Sequence, residues 1–114
     1  MLWHTLSNIN QLKDITELSK EQGISAVLLF KHSTRCSISS MALSRLENKW
    51  SDDEKIPAYF LDLLSHRDIS NEIANLYSVE HSSPQVLLIK GGKCLYHNSH
   101  SGIVASEILE AIKK

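Results

Sequence analysis

Cysteine, proline and glycine are scarce in this chain of 114 residues, which contains two, two and four of them, respectively. Two cysteines cannot build the disulfide framework of a small secreted domain. No repeat, low-complexity tract or linker divides the sequence, so its length predicts one domain over residues 1–114. A domain of this size buries roughly two thirds of its unfolded surface, which is enough for a core without disulfides.

A long apolar run and an excess of one charge are also missing. No run approaches the ~20 residues that a membrane helix requires, and the N-terminus has no basic segment followed by an apolar one. The net charge is −1, which gives no support for binding to nucleic acid or to an anionic membrane. We therefore expect a cytoplasmic protein whose partners are neither nucleic acid nor membrane.

The apolar pattern that is present predicts alternating helices and strands. Helices are predicted at residues 12–18, 38–50, 68–77 and 103–112, and strands at 24–30, 58–63, 85–89 and 93–97. Residues 2–6 are compatible with a further short strand. Gly91-Gly92 predicts a tight hairpin between the last two strands, and Asp68 is predicted to cap the third helix. This order predicts an α/β fold with a central mixed sheet flanked by helices. One apolar face is predicted for the second helix, formed by Ile38, Met41, Ala42, Leu46 and Trp50.

Cys36 lies between an apolar strand and the second helix, in the run Lys31-His32-Ser33-Thr34-Arg35-Cys36-Ser37-Ile38-Ser39. The N–H groups at a helix start favour a thiolate over a thiol, and the thiolate is the form that attacks disulfides. Ser39 stands where a Cys-x-x-Cys motif carries its second cysteine. The sequence therefore predicts a thiol–disulfide exchange site with one cysteine.

Two segments resemble the thioredoxin superfamily, and the resemblance covers nearly the whole chain. One is the unit of strand, Cys36 and helix, and the other is the stretch Tyr77–Lys93, with its Ser-Pro turn, strand and glycine pair. The run Thr34–Ser39 is most similar to the YtxJ-type monothiol bacilliredoxins. The resemblance implies a thioredoxin-like fold, a cis peptide bond before Pro84, and disulfide exchange with the low-molecular-weight thiol bacillithiol as co-substrate and with bacillithiolated client proteins as partners. It implies no bound cofactor.

The sequence departs from dithiol thioredoxins in several ways. No Trp precedes Cys36, and no Gly-Pro pair follows it. Leu28 and Leu29 occupy the central strand where a thioredoxin places a buried acidic residue. That residue helps to move protons when a second thiol resolves the mixed disulfide. Its absence predicts a protein that stops at the mixed disulfide and leaves resolution to another thiol.

Five residues are predicted to support Cys36. Arg35 stabilises the thiolate or meets carboxylates of the thiol co-substrate, or else it points into solvent. Ser39 donates its hydroxyl to the thiolate, or is simply a small residue near a helix start. Thr34 contacts substrate, or is a plain turn residue. By the resemblance, Pro84 brings the backbone of Ser83 next to Cys36, where it pairs with substrate as a short strand would; the alternative is a trans proline that begins a strand.

The remaining cysteine is expected to be structural, and the histidines are scattered along the sequence. Cys94 is expected to behave as a small buried apolar residue. The alternative is a resolving thiol for Cys36, but the final hairpin of this fold would put Cys94 far from the active-site end. Cys94, His97 and His100 are too few for a structural zinc site, and Cys94 and His97 should face opposite sides of a strand. No metal is therefore expected. His32 is close enough in sequence to tune Cys36, but an exposed loop residue is the expectation.

Two other functions remain open from the sequence. The first is an oxyanion enzyme similar to arsenate reductases, which would need several cations to hold a tetrahedral anion; this chain offers only Arg35, Arg45 and Arg67. The second is a redox-inert, thioredoxin-like binding module in which Cys36 is incidental. The reading that best accounts for the motif is a monothiol thiol–disulfide oxidoreductase that removes bacillithiol, or a similar thiol, from client proteins.

Overall fold

A computed structural model describes residues 1–113. Its elements follow the predicted order, with the short N-terminal strand present. They are β1 (Trp3–Thr5), α1 (Gln11–Leu18), β2 (Val27–His32), α2 (Ser37–Lys49), β3 (Ala58–Asp62), α3 (Arg67–Tyr77), β4 (Gln85–Lys90), β5 (Lys93–Ser99), a short 3₁₀ helix (His100–Gly102) and α4 (Ala105–Lys113). None of these helices is long and apolar enough to cross a membrane.

The five strands form one mixed sheet in the order β1-β3-β2-β4-β5. β3 runs parallel to both β1 and β2, whereas β4 is antiparallel to β2 and to β5. Lys31 pairs with Gln85, and His32 pairs with Asp62. The carboxyl ends of β2 and β3 and the amino end of β4 therefore meet at one edge of the sheet. The loop that carries Cys36 and the loop that carries Pro84 both leave from this edge.

The core lies on both faces of the sheet, and β2 alternates between them. Leu28 and Phe30 face α2 and α4, in a cluster that includes Leu46 and Ile108. Val27 and Leu29 face α1 and α3. β2 is buried along its whole length, because strands flank it on both sides and helices cover both of its faces. A side chain at the end of β2 is therefore buried whichever face of the sheet it lies on.

The predicted apolar face of α2 was wrong at two positions in its N-terminal half. Ile38 and Met41 are 56% and 66% exposed, while Ser39 is fully buried together with Ala42 and Leu46. A helix buries the stripe that faces its sheet, and in α2 this stripe begins with a serine. Ser39 is buried because its hydroxyl is hydrogen-bonded to residues of the preceding strand and loop.

Other boundaries moved by one or more residues. The second strand continues to His32 and does not end at Phe30. The third helix begins after an N-cap at His66, so Asp68 lies in its first turn and is not the cap. Gly91 and Gly92 form the predicted hairpin, with positive φ angles of 60° and 80°. Backbone with these angles favours glycine, because a side chain there is strained.

Candidate active site

Cys36 is the N-cap residue of α2, with extended backbone at φ −106° and ψ 121°. Its N–H donates to Ser33 O at 3.1 Å, and its carbonyl accepts the N–H of Ser40 at 3.1 Å, which is the first bond of the helix. The thiol is free and partly exposed, and it makes no capping hydrogen bond to the first turn. The side chain of an N-cap residue lies beside the N–H groups that open a helix. A thiolate formed there gains their partial positive charge.

Ser39, at the second motif position, is buried and hydrogen-bonded on the side away from solvent. Its Oγ accepts the N–H of Ser33 at 3.1 Å and lies 2.6 Å from Nδ1 of His32. A residue at the third helical position reaches back towards the N-cap, and here this reach ties α2 to the loop before Cys36. The structure places Ser39 against His32, and the hydrogen bond to a Cys36 thiolate stays a prediction.

His32 is a functional candidate whose burial the sequence interpretation missed. It was expected in an exposed loop and is only 5% exposed, at the end of β2. Its ring lies against those of Phe30 and Phe60, with centroid distances of 6.0 and 5.3 Å. Burial lowers the pKa of His32, and the negative charges of Asp62 and Glu47 oppose that effect. Its position two residues after Phe30 in an alternating strand was the signal that could have placed it beneath α2.

Lys31 falls on the opposite face of β2 and is fully buried. Its Nζ donates to Ser70 O at 3.1 Å and to Nδ1 of His81 at 3.2 Å. Within residues 1–113 it has no carboxylate partner, because the one ion pair found there joins Lys20 to Glu17. Burial of the ammonium lowers its pKa from 10.5 to about 8. The sequence interpretation also missed this residue.

The Ser83–Pro84 peptide bond is cis, as the resemblance predicts. Pro84 is buried, and its carbonyl accepts the N–H of His100 at 3.1 Å. The hydroxyl of Ser83 is buried without a hydrogen-bond partner among the described residues, and so is Oε1 of Gln85. The sheet register puts this loop at the same edge as Cys36, since Gln85 pairs with Lys31. The structure thus brings Ser83 and Pro84 to the edge that carries the thiol.

The flanking loop residues Thr34 and Arg35 are both exposed. The position of Arg35 next to Cys36 is compatible with either predicted orientation. Arg45 is engaged elsewhere, because its guanidinium donates to the carbonyls of Ile103 and His100 at 3.1 and 3.0 Å. Arg45 therefore does not supply one of the cations that an arsenate-reductase-like site would need around Cys36.

Comparisons with known proteins agree with this geometry. The family model for monothiol bacilliredoxin BrxC matches residues 4–108. This chain belongs to the monothiol bacilliredoxin family. A solved structure provisionally named an oxidoreductase with a thioredoxin fold is 30% identical, with a TM-score of 0.78 over 94% of this chain and 90% of that one.

Thioredoxins are more distant in sequence and show the fold. The one from Trypanosoma brucei brucei is 16% identical, with a TM-score of 0.72 over 99% of this chain and 93% of its own. The one from Malassezia sympodialis is 21% identical, with a TM-score of 0.70 over 98% and 89%. The predicted thioredoxin-like α/β fold is confirmed. This bacilliredoxin is a thiol–disulfide oxidoreductase and not a redox-inert module.

The second cysteine of this bacilliredoxin lies far from the first along the sheet. Cys94 is near the β4–β5 hairpin, which is at the opposite end of β4 from Pro84. It is half-buried, its Sγ donates to Tyr96 O at 3.4 Å, and burial raises the pKa of its thiol. These features suit a structural thiol. A resolving role would require it to reach the other end of the sheet.

The prediction that Cys94 and His97 face opposite sides of the strand was wrong. A β-bulge opposite Leu88 and Ile89 interrupts the alternation of β5. Cys94 and His97 therefore pair with Ile89 and Leu87, which belong to the same face of the sheet. Within residues 1–113 no three His, Cys, Asp or Glu side chains come together as metal ligands.

Proposed function

We propose that this bacilliredoxin removes bacillithiol, or a similar low-molecular-weight thiol, from mixed disulfides on client proteins through Cys36. The observation that carries the proposal is that no second cysteine lies near the Cys36 thiol. Ser39 fills the second motif position, and Cys94 is at the other end of the sheet. A single thiol can take over a small thiol but cannot resolve the resulting disulfide by itself.

The chemistry consists of two exchanges. The Cys36 thiolate attacks the bacillithiol sulfur of the client's mixed disulfide, a new S–S bond forms, and the client cysteine leaves as a thiolate that takes up a proton. A second bacillithiol thiolate, or another reductant, then attacks the bacillithiol sulfur held on Cys36. Cys36 leaves as a thiolate, and with bacillithiol as the reductant the product is bacillithiol disulfide. Bacillithiol is a co-substrate in this scheme, and no resident cofactor takes part.

The surrounding loops supply the binding contacts in this proposal. The backbone of Ser83 pairs with the substrate as a short strand, and the nearby hydroxyl of Ser83 has an unused hydrogen-bonding capacity in the described structure. Thr34 and Arg35 are exposed beside the thiol, where the guanidinium is available to substrate carboxylates. We assign the reaction to the cytoplasm, where a free thiol of this kind stays reduced.

The proposal is tested by incubating the protein with a bacillithiolated client and measuring intact masses. In the wild type and in Cys94→Ser, we expect the mass of bacillithiol to move from the client to Cys36. In Cys36→Ser, we expect no transfer of this mass. A protein that accepts glutathione readily but never bacillithiol would contradict the choice of thiol. A protein that accepts neither would contradict the exchange reaction itself.

A further inference from the structure

The loop of residues 78–84 joins α3 to β4 and carries Ser83, whose backbone is assigned to substrate in the proposed function. Backbone hydrogen bonds hold the two ends of this loop. One runs from the Val79 N–H to a carbonyl of α3, and the other runs from the N–H of His100 to Pro84 O, both at 3.1 Å. The position of Ser83 therefore depends on the side chains that hold the middle of the loop.

Two side chains from the sheet hold the middle of the loop. Gln85 Nε2 donates to Glu80 O at 3.0 Å. Lys31 Nζ donates to His81 Nδ1 at 3.2 Å and to Ser70 O on α3 at 3.1 Å. Lys31 and Gln85 are register partners in β2 and β4, so their side chains lie next to each other on one face of the sheet. The Lys31 ammonium thus joins β2, α3 and the loop.

The contact between Lys31 and His81 fixes the protonation state of the imidazole. Lys31 has a pKa of about 8 and is therefore charged at pH 7. An ammonium group has three donors and no acceptor, so His81 Nδ1 offers its lone pair to Lys31. The hydroxyl of Ser70, 3.3 Å from the same nitrogen, is a second donor for it. While it is bonded to Lys31, the imidazole is neutral and carries its proton on Nε2.

Protonation of His81 is incompatible with this contact, because an imidazolium has no lone pair on Nδ1 and would face the ammonium. Burial lowers the pKa of His81, and the positive charges of Lys31 from β2 and Arg67 from α3 lower it further. Glu80, the preceding loop residue, is exposed and forms no ion pair with the ring among the described residues. Much of the His81 side chain is exposed, so a protonated ring can turn into solvent.

We propose that His81 is a positioning residue of the exchange reaction. Bonded to Lys31, it holds the 78–84 loop so that the backbone of Ser83 meets the substrate, and its protonation releases the loop. The inference rests on the proposed function in taking this backbone as the substrate contact. His81 acts through the position of Ser83 and leaves the reactivity of the Cys36 sulfur unchanged. A peptide substrate is therefore affected, whereas a small alkylating reagent is not.

The first test compares disulfide exchange with alkylation of Cys36. Exchange is measured as transfer of bacillithiol, or of glutathione, from a decapeptide that carries the thiol on its one cysteine, and alkylation uses iodoacetamide. At pH 7.5, His81→Leu should exchange about tenfold more slowly than the wild type, the size of one hydrogen bond to a charged group. His81→Asn keeps an acceptor for Lys31 and should stay within about threefold. Alkylation should stay within about twofold in both variants. His97→Leu, at an exposed position on β5, is the matched control and should follow the wild type in both reactions.

The pH profile distinguishes positioning from a general loss of structure. The ratio of the exchange rate to the alkylation rate cancels the ionisation of Cys36. In the wild type this ratio should fall about tenfold between pH 7.5 and pH 4.5, as His81 takes up a proton. In His81→Asn, which has no titrating ring, the ratio should stay constant. A wild-type ratio that does not change with pH, or an equal fall in His81→Asn, would overturn the proposal.

The second test needs no substrate. Nitrogen-15 NMR of the wild type at pH 7 should show a neutral His81 with its proton on Nε2. Lys31→Met should move the titration midpoint of His81 to higher pH, because a cation beside the ring is lost. Hydrogen exchange of the His100 N–H, which is bonded to Pro84 O, should be about tenfold faster in His81→Leu. A proton on Nδ1 at pH 7, an unmoved midpoint or an unchanged exchange rate would each contradict the role of His81.

The outcomes separate this inference from the proposed function. A wild type that takes neither thiol from the peptide would refute the proposed function, and the NMR results would still decide whether Lys31 and His81 hold the loop. A wild type that takes bacillithiol no faster than His81→Leu does would refute only the inference.

Discussion

Replacing Lys31 by methionine should change how the stability of the protein depends on pH. Lys31 is fully buried, and its pKa is lowered from 10.5 to about 8. That difference corresponds to about 3 kcal/mol against the charged form in the folded state. Methionine has a similar length and flexibility and carries no charge.

The sign follows from counting protons in the two states. Between pH 8 and 10.5 the lysine of the unfolded chain is still protonated, whereas Lys31 in the folded protein has lost its proton. The unfolded state therefore binds more protons, and the free energy of unfolding rises with pH through this window. The wild type should gain about 3 kcal/mol there relative to Lys31→Met.

Urea unfolding followed by circular dichroism at several pH values between 7 and 10.5 measures this difference. The tyrosines Tyr59 and Tyr77, whose pKa values burial raises, lower the stability at alkaline pH in both proteins and cancel in the comparison. Lys13→Met, at an exposed position on α1, is the matched control and should follow the wild type. Equal slopes for wild type and Lys31→Met would refute the argument that Lys31 is buried as a charge without a carboxylate.

Three further changes test other parts of the structure. Cys94→Ala should leave the exchange rate within about twofold of the wild-type rate. In the wild type, Cys94 should be alkylated at least about tenfold more slowly than Cys36 at pH 7.5, because burial raises the pKa of the Cys94 thiol; equal alkylation rates for the two cysteines would contradict a structural role for Cys94. Ser83→Ala removes a buried hydroxyl that lacks a partner and should raise the free energy of unfolding by up to about 1 kcal/mol in urea, whereas a loss would mean that the hydroxyl is satisfied in solution. Gly92→Ala should lower the melting temperature, since the position has φ 80° and a Cβ there would lie 2.8 Å from Lys20 Cε; an unchanged melting temperature would contradict the hairpin geometry.

The order of the elements could be predicted from the sequence because it depends on local signals. Apolar spacing marks a helix or a strand, and Gly91-Gly92 marks the hairpin. The limits of β2 could not be predicted in this way. Lys31 and His32 are polar residues after an apolar run, which is typical of a loop, but β3 supplies strand partners for both of them and β4 supplies one for Lys31. The strand is thus prolonged by its neighbours.

The site was predictable to a similar degree. Cys36 at a helix start followed from the boundary between two patterns, and the cis bond before Pro84 followed from the family resemblance. The contact between His32 and Ser39 could not be predicted, because the sequence does not distinguish a buried serine or histidine from an exposed one. Burial of polar residues is decided by the partner that satisfies them, and here that partner is seven residues away in another element.

The residue at the second motif position therefore has a structural role of its own. Ser39 accepts a backbone N–H and contacts an imidazole nitrogen at 2.6 Å in a buried setting. A thiol is a weak donor and a weak acceptor, and its longer bonds would not match these distances. A cysteine at this position would weaken the tie between α2 and the loop that carries Cys36. The polar groups beneath Ser39 thus favour a hydroxyl there, and this explains in physical terms how a thioredoxin-like scaffold can be committed to one-thiol chemistry.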